Sequence, residues 1–183
     1  MQGTSDRRVD LSFSTEVVAV AKRRSFDEMN CSIARALDVL GEWWTLLVIR
    51  ESFRGVRRFD GFVERLGIAP NILAARLRRL VEHGVLEERA YQERPVRVEY
   101  RLTAKGRDLY PVIVALLGWG DRWYAQDGPP VVLMHATCEH RADPKTVCGH
   151  CGERLDPRHV RAVPGRGADE PEPSLVNSTA QRG

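Results

Sequence analysis

Residues 68–100 read IAPNILAARLRRLVEHGVLEERAYQERPVRVEY, and this stretch decides the fold. Its first part predicts a helix, because Pro70 suits the first helical position and leucines then recur at helical spacing. Gly84 is suited to end the helix, since glycine readily adopts the left-handed conformation found there. Two strand-forming segments follow at 85–90 and 96–102, on either side of a basic turn. The stretch therefore predicts a helix followed by a two-stranded β-wing.

The face of this helix that lies opposite the leucines is basic, with small alanines that permit close approach. No acidic residue interrupts it between Asn71 and Val81. Arginine forks match guanine edges and phosphates, asparagine matches adenine, and a DNA major groove admits one helix. We predict that this face contacts DNA through Asn71, Ala75, Arg76, Arg78 and Arg79. The alternative interpretation is an ordinary solvated basic face.

The neighbouring segments favour the DNA interpretation. Upstream, residues 58–66 predict a short helix, and the glycine-containing turn 67–69 joins it to the basic helix. A helix, a short turn and a second, basic helix form a helix-turn-helix. Downstream, Arg94 lies at the tip of the wing with Arg97 close by, where arginines can reach phosphates or a minor groove. Taken alone, these two arginines fit plain solvent exposure equally well.

The composition fits one compact domain with attachments. Of the 183 residues, 43% are hydrophobic and 29% are charged, which is enough apolar material for a packed core. The net charge is only +3, so the basic character is local to the predicted helix and wing. No apolar run reaches membrane-spanning length, and the stretch 17–21 is too short and too far along for a secretory signal. We therefore expect a cytoplasmic protein, mainly α-helical with a small β-wing.

The chain divides into four predicted parts. Residues 1–30 predict a flexible arm, and residues 31–128 predict a winged helix-turn-helix domain for DNA binding and dimerisation. Residues 129–160 hold a cysteine- and histidine-rich segment, and residues 161–183 predict a disordered tail.

The last helix of the winged domain predicts a partner surface. It should begin at a Thr103 cap, run to Trp123 and bend at Pro111 and at its paired glycines. One small winged domain cannot cover so apolar a helix. We therefore predict a twofold homodimer on a roughly palindromic DNA site. The alternative is a helix folded back on its own core.

The cysteine- and histidine-rich segment has the spacing of a metal site. His135-x-x-Cys138 and Cys148-x-x-Cys151 share one spacing, and the glycine after the second pair relieves crowding beside a metal-bound thiolate. Two such turns facing each other predict a structural Cys₃His zinc site, with His140 as an alternative to His135. The other interpretation is a set of reduced, unliganded side chains in a loose tail. A catalytic zinc is disfavoured, because neither an open ligand position nor a separate base is visible.

Cys31 has two interpretations. It opens a predicted helix, and a helix N-terminus can lower the pKa of a thiol, so Cys31 is a candidate redox or electrophile sensor. The simpler interpretation is a small buried residue, which the sequence favours.

Several motifs resemble, in order, those of the HxlR-type transcriptional regulators, which are relatives of the MarR group of winged-helix dimers. They are Cys31–Glu51, Arg58-Phe59, Asn71–Leu80 and Glu99–Gly106. The resemblance covers residues 31–128 and implies a dimeric DNA-binding regulator, with Asn71, Arg76, Arg78 and the wing arginines as contacts. Some members of that family sense oxidants or aldehydes through a cysteine at the position of Cys31. A typical member ends soon after the last helix, so the cysteine- and histidine-rich segment departs from the family pattern.

Three functions follow from these observations. The leading one is a sequence-specific transcriptional regulator without catalytic activity. An alternative is a protein-interaction module that docks through the cysteine- and histidine-rich segment, with the winged domain as a dimerisation scaffold. A hydrolytic zinc enzyme ranks last, because it needs an open ligand position and a general base.

Overall fold

The structure, a computed structural model, describes Phe26 and residues 28–168. Most of the predicted arm and tail therefore lies outside the described residues. The helices are α1 (Ser32–Leu40), α2 (Trp43–Phe53), α3 (Phe59–Leu66), α4 (Pro70–Glu82), α5 (Ala104–Arg107) and α6 (Tyr110–Tyr124). The strands are β1 (Leu86–Glu93), β2 (Val96–Leu102), β3 (Met134–His135) and β4 (His140–Arg141). Among the described residues, no helix is long and apolar enough to span a membrane.

The winged helix-turn-helix is confirmed. Helices α3 and α4 form the helix-turn-helix, and Gly67 ends α3 in the left-handed conformation, with φ 61°. Strands β1 and β2 form the antiparallel wing, with a register shift between Ala90 and Gln92. The strands extend further than the sequence indicated, so the predicted turn 91–95 shortens to Arg94 and Pro95.

The core lies between α2, the helix-turn-helix and the base of the wing. Its fully buried side chains come from α2, α3, the turn, α4, the residue before β1 and the first residue of β1: Val48, Ile49, Phe62, Ile68, Leu73, Leu77, Leu80, Val85 and Leu86. The predicted stripe of leucines on α4 is therefore the buried face of that helix. This packing fixes which side of α4 turns outward, because a helix that buries one face exposes the opposite one.

The predicted long last helix is two helices. Thr103 caps as expected, since its Oγ1 accepts from Gly106 N at 3.1 Å, but the helix that it caps, α5, ends at Arg107. The prediction of a bend at Pro111 was wrong in form, because the chain breaks just before the proline, at Asp108 and Leu109. Proline has no N–H and its ring clashes with the preceding turn, so it starts α6 instead of continuing α5.

Helix α6 packs on the core through one side only. Leu109, just before it, and Ile113 lie against the buried cluster, and Tyr110 contacts Phe53 with ring centroids 5.0 Å apart. Within the described part of the chain, no residue of α6 is buried. Only a small part of the surface of α6 therefore packs against the core of its own domain.

Candidate nucleic-acid interface

The exposed face of α4 carries three of the five predicted contacts. Asn71, Ala75 and Arg78 are exposed, whereas Leu73, Leu77 and Leu80 on the other side are no more than 1% exposed. Among the described residues, Arg78 takes part in no ion pair, so its guanidinium is available to an external partner. A fork of N–H donors next to an amide is the donor set that reads guanine and adenine edges.

The other two predicted contacts are engaged inside the protein. Arg76 Nη2 lies 3.3 Å from Glu42 Oε2, and its side chain is only 21% exposed. Arg79 donates to the Asp38 carbonyl oxygen through Nε, at 3.1 Å, and again through Nη2. These two arginines hold α4 to the end of α1 and the start of α2. In this arrangement they brace the recognition helix, and the outward donor set narrows to Asn71 and Arg78 beside Ala75.

The wing exposes both of its predicted arginines. Arg94 lies at the tip and Arg97 pairs in register with Gln92, and both side chains are exposed. No ion pair within the described residues involves either of them. The Gln92 Nε2 donates to the Arg94 carbonyl oxygen at 3.1 Å, which stabilises the turn.

Arg58 is a residue that the sequence did not single out for the wing. Its guanidinium carbon lies 4.5 Å from the ring centroid of Tyr91 on β1, a cation–π distance. The backbone adds a second link, because Tyr100 N donates to the Arg57 carbonyl oxygen at 2.7 Å. These contacts join the loop before α3 to the wing. The wing is thus held at a fixed angle to the helix-turn-helix.

A second cluster that the sequence did not single out surrounds Glu51, which is 1% exposed. Its Oε1 accepts from Arg50 Nε at 2.9 Å and from Arg54 Nη1 at 3.2 Å, and Arg65 lies 3.9 Å from Oε2. Oppositely charged partners compensate a buried carboxylate. The cluster therefore ties the end of α2 to α3 and serves the fold.

An apolar stripe on α6 is largely exposed in the described part of the chain. Val112, Leu116, Trp119 and Trp123 recur at helical spacing and are 48%, 48%, 53% and 65% exposed. On α1, Ile33 and Leu37 are also exposed, at 70% and 44%. Contiguous exposed apolar surface of this kind marks an interaction site on a globular protein.

Cys31 lies at the N-cap of α1 and is half-buried, with a free thiol. Its side chain makes no capping hydrogen bond. The structure leaves both interpretations of this residue open, and the sensor stays a prediction.

The four predicted zinc ligands lie in two short hairpins after α6. His135 Nδ1 is 3.2 Å from Cys138 Sγ, so the first pair is together. In the second pair, hydrogen bonds from the backbone N–H groups of Cys151 and His150 lower the pKa of the Cys148 thiol. Among the described residues, no three histidine, cysteine or carboxylate side chains converge closely enough to hold one metal ion. The Cys₃His site stays a prediction.

A helix-turn-helix with an exposed basic recognition helix and an arginine-tipped wing defines a winged-helix DNA-binding protein. Comparison with known proteins agrees. Residues 39–128 match the family described as HxlR-like helix-turn-helix. An uncharacterised HTH-type transcriptional regulator of Mycobacterium tuberculosis (strain H37Rv) is 49% identical over 137 residues, which cover 74% of this chain and 87% of that relative. One from Synechocystis is 41% identical over 105 residues, covering 57% and 78%.

Solved structures agree as well. The crystal structure of PA1607, described as a candidate transcription factor, has a TM-score of 0.65 and 41% identity, covering 73% of this chain and 94% of that one. A similarly described protein of Pseudomonas aeruginosa, PA1374, has a TM-score of 0.56 and 40% identity, covering 76% and 96%. The chain belongs to the HxlR-like helix-turn-helix family, and it is a DNA-binding transcriptional regulator.

Proposed function

We propose that the protein binds a roughly palindromic operator as a homodimer, with one α4 in each of two successive major grooves. The observation that carries the proposal is the outward donor set of Asn71 and Arg78, held on a helix whose opposite face is buried. In this arrangement Arg78 hydrogen-bonds to the edge of one base pair, and Asn71 contacts DNA beside it. The small side chain of Ala75 permits close approach of the helix to the groove. Arg94 and Arg97 of the wing contact phosphates or the adjacent minor groove.

The braced arginines explain how the recognition helix keeps its orientation. Arg76 contacts Glu42 before α2, and Arg79 contacts Asp38 near the end of α1. The position of α4 in the groove is therefore fixed relative to α1 and α2. Base readout depends on placing a side chain within hydrogen-bond distance of a base edge. A bracing contact therefore contributes to specificity without touching DNA.

The dimer is supported by the uncovered stripe on α6. Its four apolar side chains and Ile33 of α1 are exposed, and a second copy of the chain presents the same surface to cover them. A twofold axis through α6 would set two recognition helices facing the same side of a duplex. Two recognition helices in successive major grooves would require half-sites about 34–36 Å apart, one helical turn of DNA.

Mutation of the stripe tests the dimer. Leu116→Glu puts a charge into the proposed interface and should give monomers in sedimentation velocity, together with a large loss of operator affinity. Gln126→Glu, which adds the same charge just beyond α6, should leave both the dimer and DNA binding unchanged. A Leu116→Glu protein that stays dimeric and binds DNA normally would place the interface elsewhere.

A cytoplasmic location is part of the proposal, because a regulator of transcription acts on chromosomal DNA. Regulation through Cys31 is a second proposal, supported by the position of its free thiol at the start of α1, beside the exposed apolar residues of that helix. A Cys31→Ser protein that binds DNA identically to the unchanged protein, before and after mild oxidation of both, would remove the sensor.

A further inference from the structure

Two hairpins after α6 repeat each other position for position. In the first, His135 pairs with His140 and Met134 pairs with Arg141. In the second, Cys148 N donates to the Glu153 carbonyl oxygen at 2.8 Å. The flanking pairs agree as well, because Val147 bridges Arg154 as Met134 pairs with Arg141. Residues 133–142 and 146–155 are thus one structural unit present twice.

The turns of the two hairpins have the same internal geometry. Glu139 N donates to the His135 carbonyl oxygen and Gly152 N to the Cys148 carbonyl oxygen, each at 2.8 Å. The residue that follows each second ligand position is left-handed, with φ 57° at Glu139 and 76° at Gly152. A non-glycine residue rarely adopts this conformation, and Glu139 does so here because the turn requires it.

This equivalence decides between the two candidate histidines. In the shared register His135 occupies the position of Cys148, and Cys138 occupies that of Cys151. His140 corresponds to Glu153, which lies beyond the turn. The His140 ring also contacts the Cys138 carbonyl oxygen instead of a sulfur. Only His135 therefore has the placement that a second knuckle needs.

Each turn already gathers its own pair of ligand atoms. His135 Nδ1 and Cys138 Sγ are 3.2 Å apart. In the second turn the side chains of Cys148 and Cys151 contact each other, and Gly152 N donates to the Cys148 carbonyl oxygen at 2.8 Å, so both cysteines lie on one tight turn.

The bases of the two hairpins lie together against α6. Leu133 and Ala142 from the first hairpin, and Thr146 and Leu155 from the second, line one cavity of about 790 Å³ with α6. Only residues 143–145 connect the two units, and Lys145 and Asp143 form an ion pair of 2.7 Å within that link. Each turn lies about three residues, or roughly 10 Å, beyond its base. The two bases are therefore adjacent, whereas at the turns no three ligands converge on one point in the described residues.

From this duplication we infer that residues 133–155 form a two-knuckle zinc ribbon, in which His135, Cys138, Cys148 and Cys151 bind one Zn²⁺. Four nitrogen and sulfur ligands close a tetrahedral structural site. The ion closes the two turns on each other and supplies folding energy that this segment lacks, since all its residues at the turns are solvent-exposed or half-buried. On binding, the three thiols lose their protons to solvent, the imidazole binds neutral, and the bound centre carries a single negative charge.

The ribbon also joins metal binding to the proposed dimer helix. The cavity at the hairpin bases is lined by Leu117 and Trp123 of α6. Trp119 lines the same cavity, so a closed ribbon stacks its bases beside Trp119 and Trp123, while Val112 and Leu116 stay on the exposed stripe. The role assigned to the zinc is structural, and it does not depend on whether the protein dimerises.

Zinc content and its ligand dependence test the inference on the full-length protein. Protein purified under reducing conditions is measured by inductively coupled plasma mass spectrometry, and its affinity is measured by competition with a chromogenic zinc chelator. The variants are Cys148→Ser, His135→Ala and His140→Ala, with Cys31→Ser as a control outside the segment. Loss of a residue that only hydrogen-bonds to a metal ligand weakens metal binding about 10- to 100-fold, so loss of a ligand should weaken zinc binding here by at least about 100-fold.

We expect one zinc per chain in the unchanged protein and in Cys31→Ser and His140→Ala, near loss of zinc in Cys148→Ser, and weakening in His135→Ala. Cobalt substitution should give thiolate-to-metal charge-transfer bands and intense tetrahedral d–d bands, and these should change in His135→Ala but not in His140→Ala. A zinc-free protein, or zinc retained equally in all variants, would overturn the ribbon. Loss in His140→Ala with retention in His135→Ala would overturn the register. Circular dichroism confirms that each variant keeps its winged domain.

Discussion

Arg78→Ala and Arg79→Ala should affect different properties, DNA binding and folding stability respectively, although the two residues are neighbours on one helix. Arg78 is exposed and, among the described residues, has no ion-pair partner. Arg79 donates through two nitrogen atoms to the carbonyl oxygen of Asp38 in α1. The sequence predicts both arginines on the DNA-facing side of the helix. Only the structure shows that Arg78 is exposed and that Arg79 is bonded inside the protein.

The expected sizes follow from what each side chain touches. A bidentate arginine–guanine contact contributes about 1–3 kcal/mol of discrimination, so Arg78→Ala should raise the operator Kd about 5- to 150-fold. Its folding stability should change by less than about 0.5 kcal/mol, as for other surface substitutions. Hydrogen bonds from a charged donor contribute about 1.5–3 kcal/mol, so Arg79→Ala should lower stability by about that amount. In a domain of this size each kcal/mol lowers Tm by about 4–8 °C.

Two assays on the unchanged protein, Arg78→Ala and Arg79→Ala separate the effects on stability and on DNA binding. Urea denaturation followed by circular dichroism gives the free energy of unfolding, and fluorescence anisotropy gives the Kd for operator and for scrambled duplex. Arg78→Ala should bring the Kd values for operator and scrambled duplex closer together, with the free energy of unfolding unchanged. Arg79→Ala should have a lower free energy of unfolding. If Arg79→Ala kept full stability and lost base preference while Arg78→Ala bound normally, the assignment of brace and contact would be reversed.

Three further outcomes are expected. Arg94→Ala in the wing should weaken binding to operator and scrambled duplex alike and reduce the slope of log K against log salt by about 1, and an unchanged slope in a salt titration would place the wing off the phosphates. Phe62→Ala removes a fully buried ring and should cost about 3–5 kcal/mol in urea denaturation, and a loss below about 1 kcal/mol would contradict the position of the core. Glu139→Gly should relieve about 1–2 kcal/mol of left-handed strain and tighten zinc binding, while Gly152→Ala should introduce the same strain and weaken it; equal affinities in chelator competition would argue against equivalent turns.

The winged fold was readable from the sequence because its signals are local and periodic. The leucine spacing of α4 and the glycine turn before it each act over a few residues, and the structure confirms both. The structure also confirms the strand β2, but its predicted inward and outward alternation was wrong, because Val96 at the tip of the wing is 72% exposed and residues 98–102 are all half-buried. The break before α6 was read as a bend, since Pro111 indicates an interruption but not whether a helix restarts after it.

The sequence did not show which arginines of α4 face outward and which bond inside the protein. A helical projection gives the direction of Arg76 and Arg79 but not their partners, and Asp38 lies 41 residues from Arg79 along the chain. The ligand spacing around Cys138 and Cys148 was visible, yet the choice between His135 and His140 was not. That choice depends on a left-handed glutamate at position 139, a conformation that the residue type itself argues against.

The central claim is sequence-specific DNA binding through α4, and the most direct test is fluorescence anisotropy with the purified protein. Its own upstream intergenic DNA is compared with a scrambled duplex of equal length at two salt concentrations. The account predicts tight binding to the native sequence that weakens steeply with salt, and loss of that preference in Arg78→Ala. Equal, weak binding to both duplexes together with an unchanged Arg78→Ala protein, across a panel of genomic fragments, would contradict it and favour a protein-interaction module.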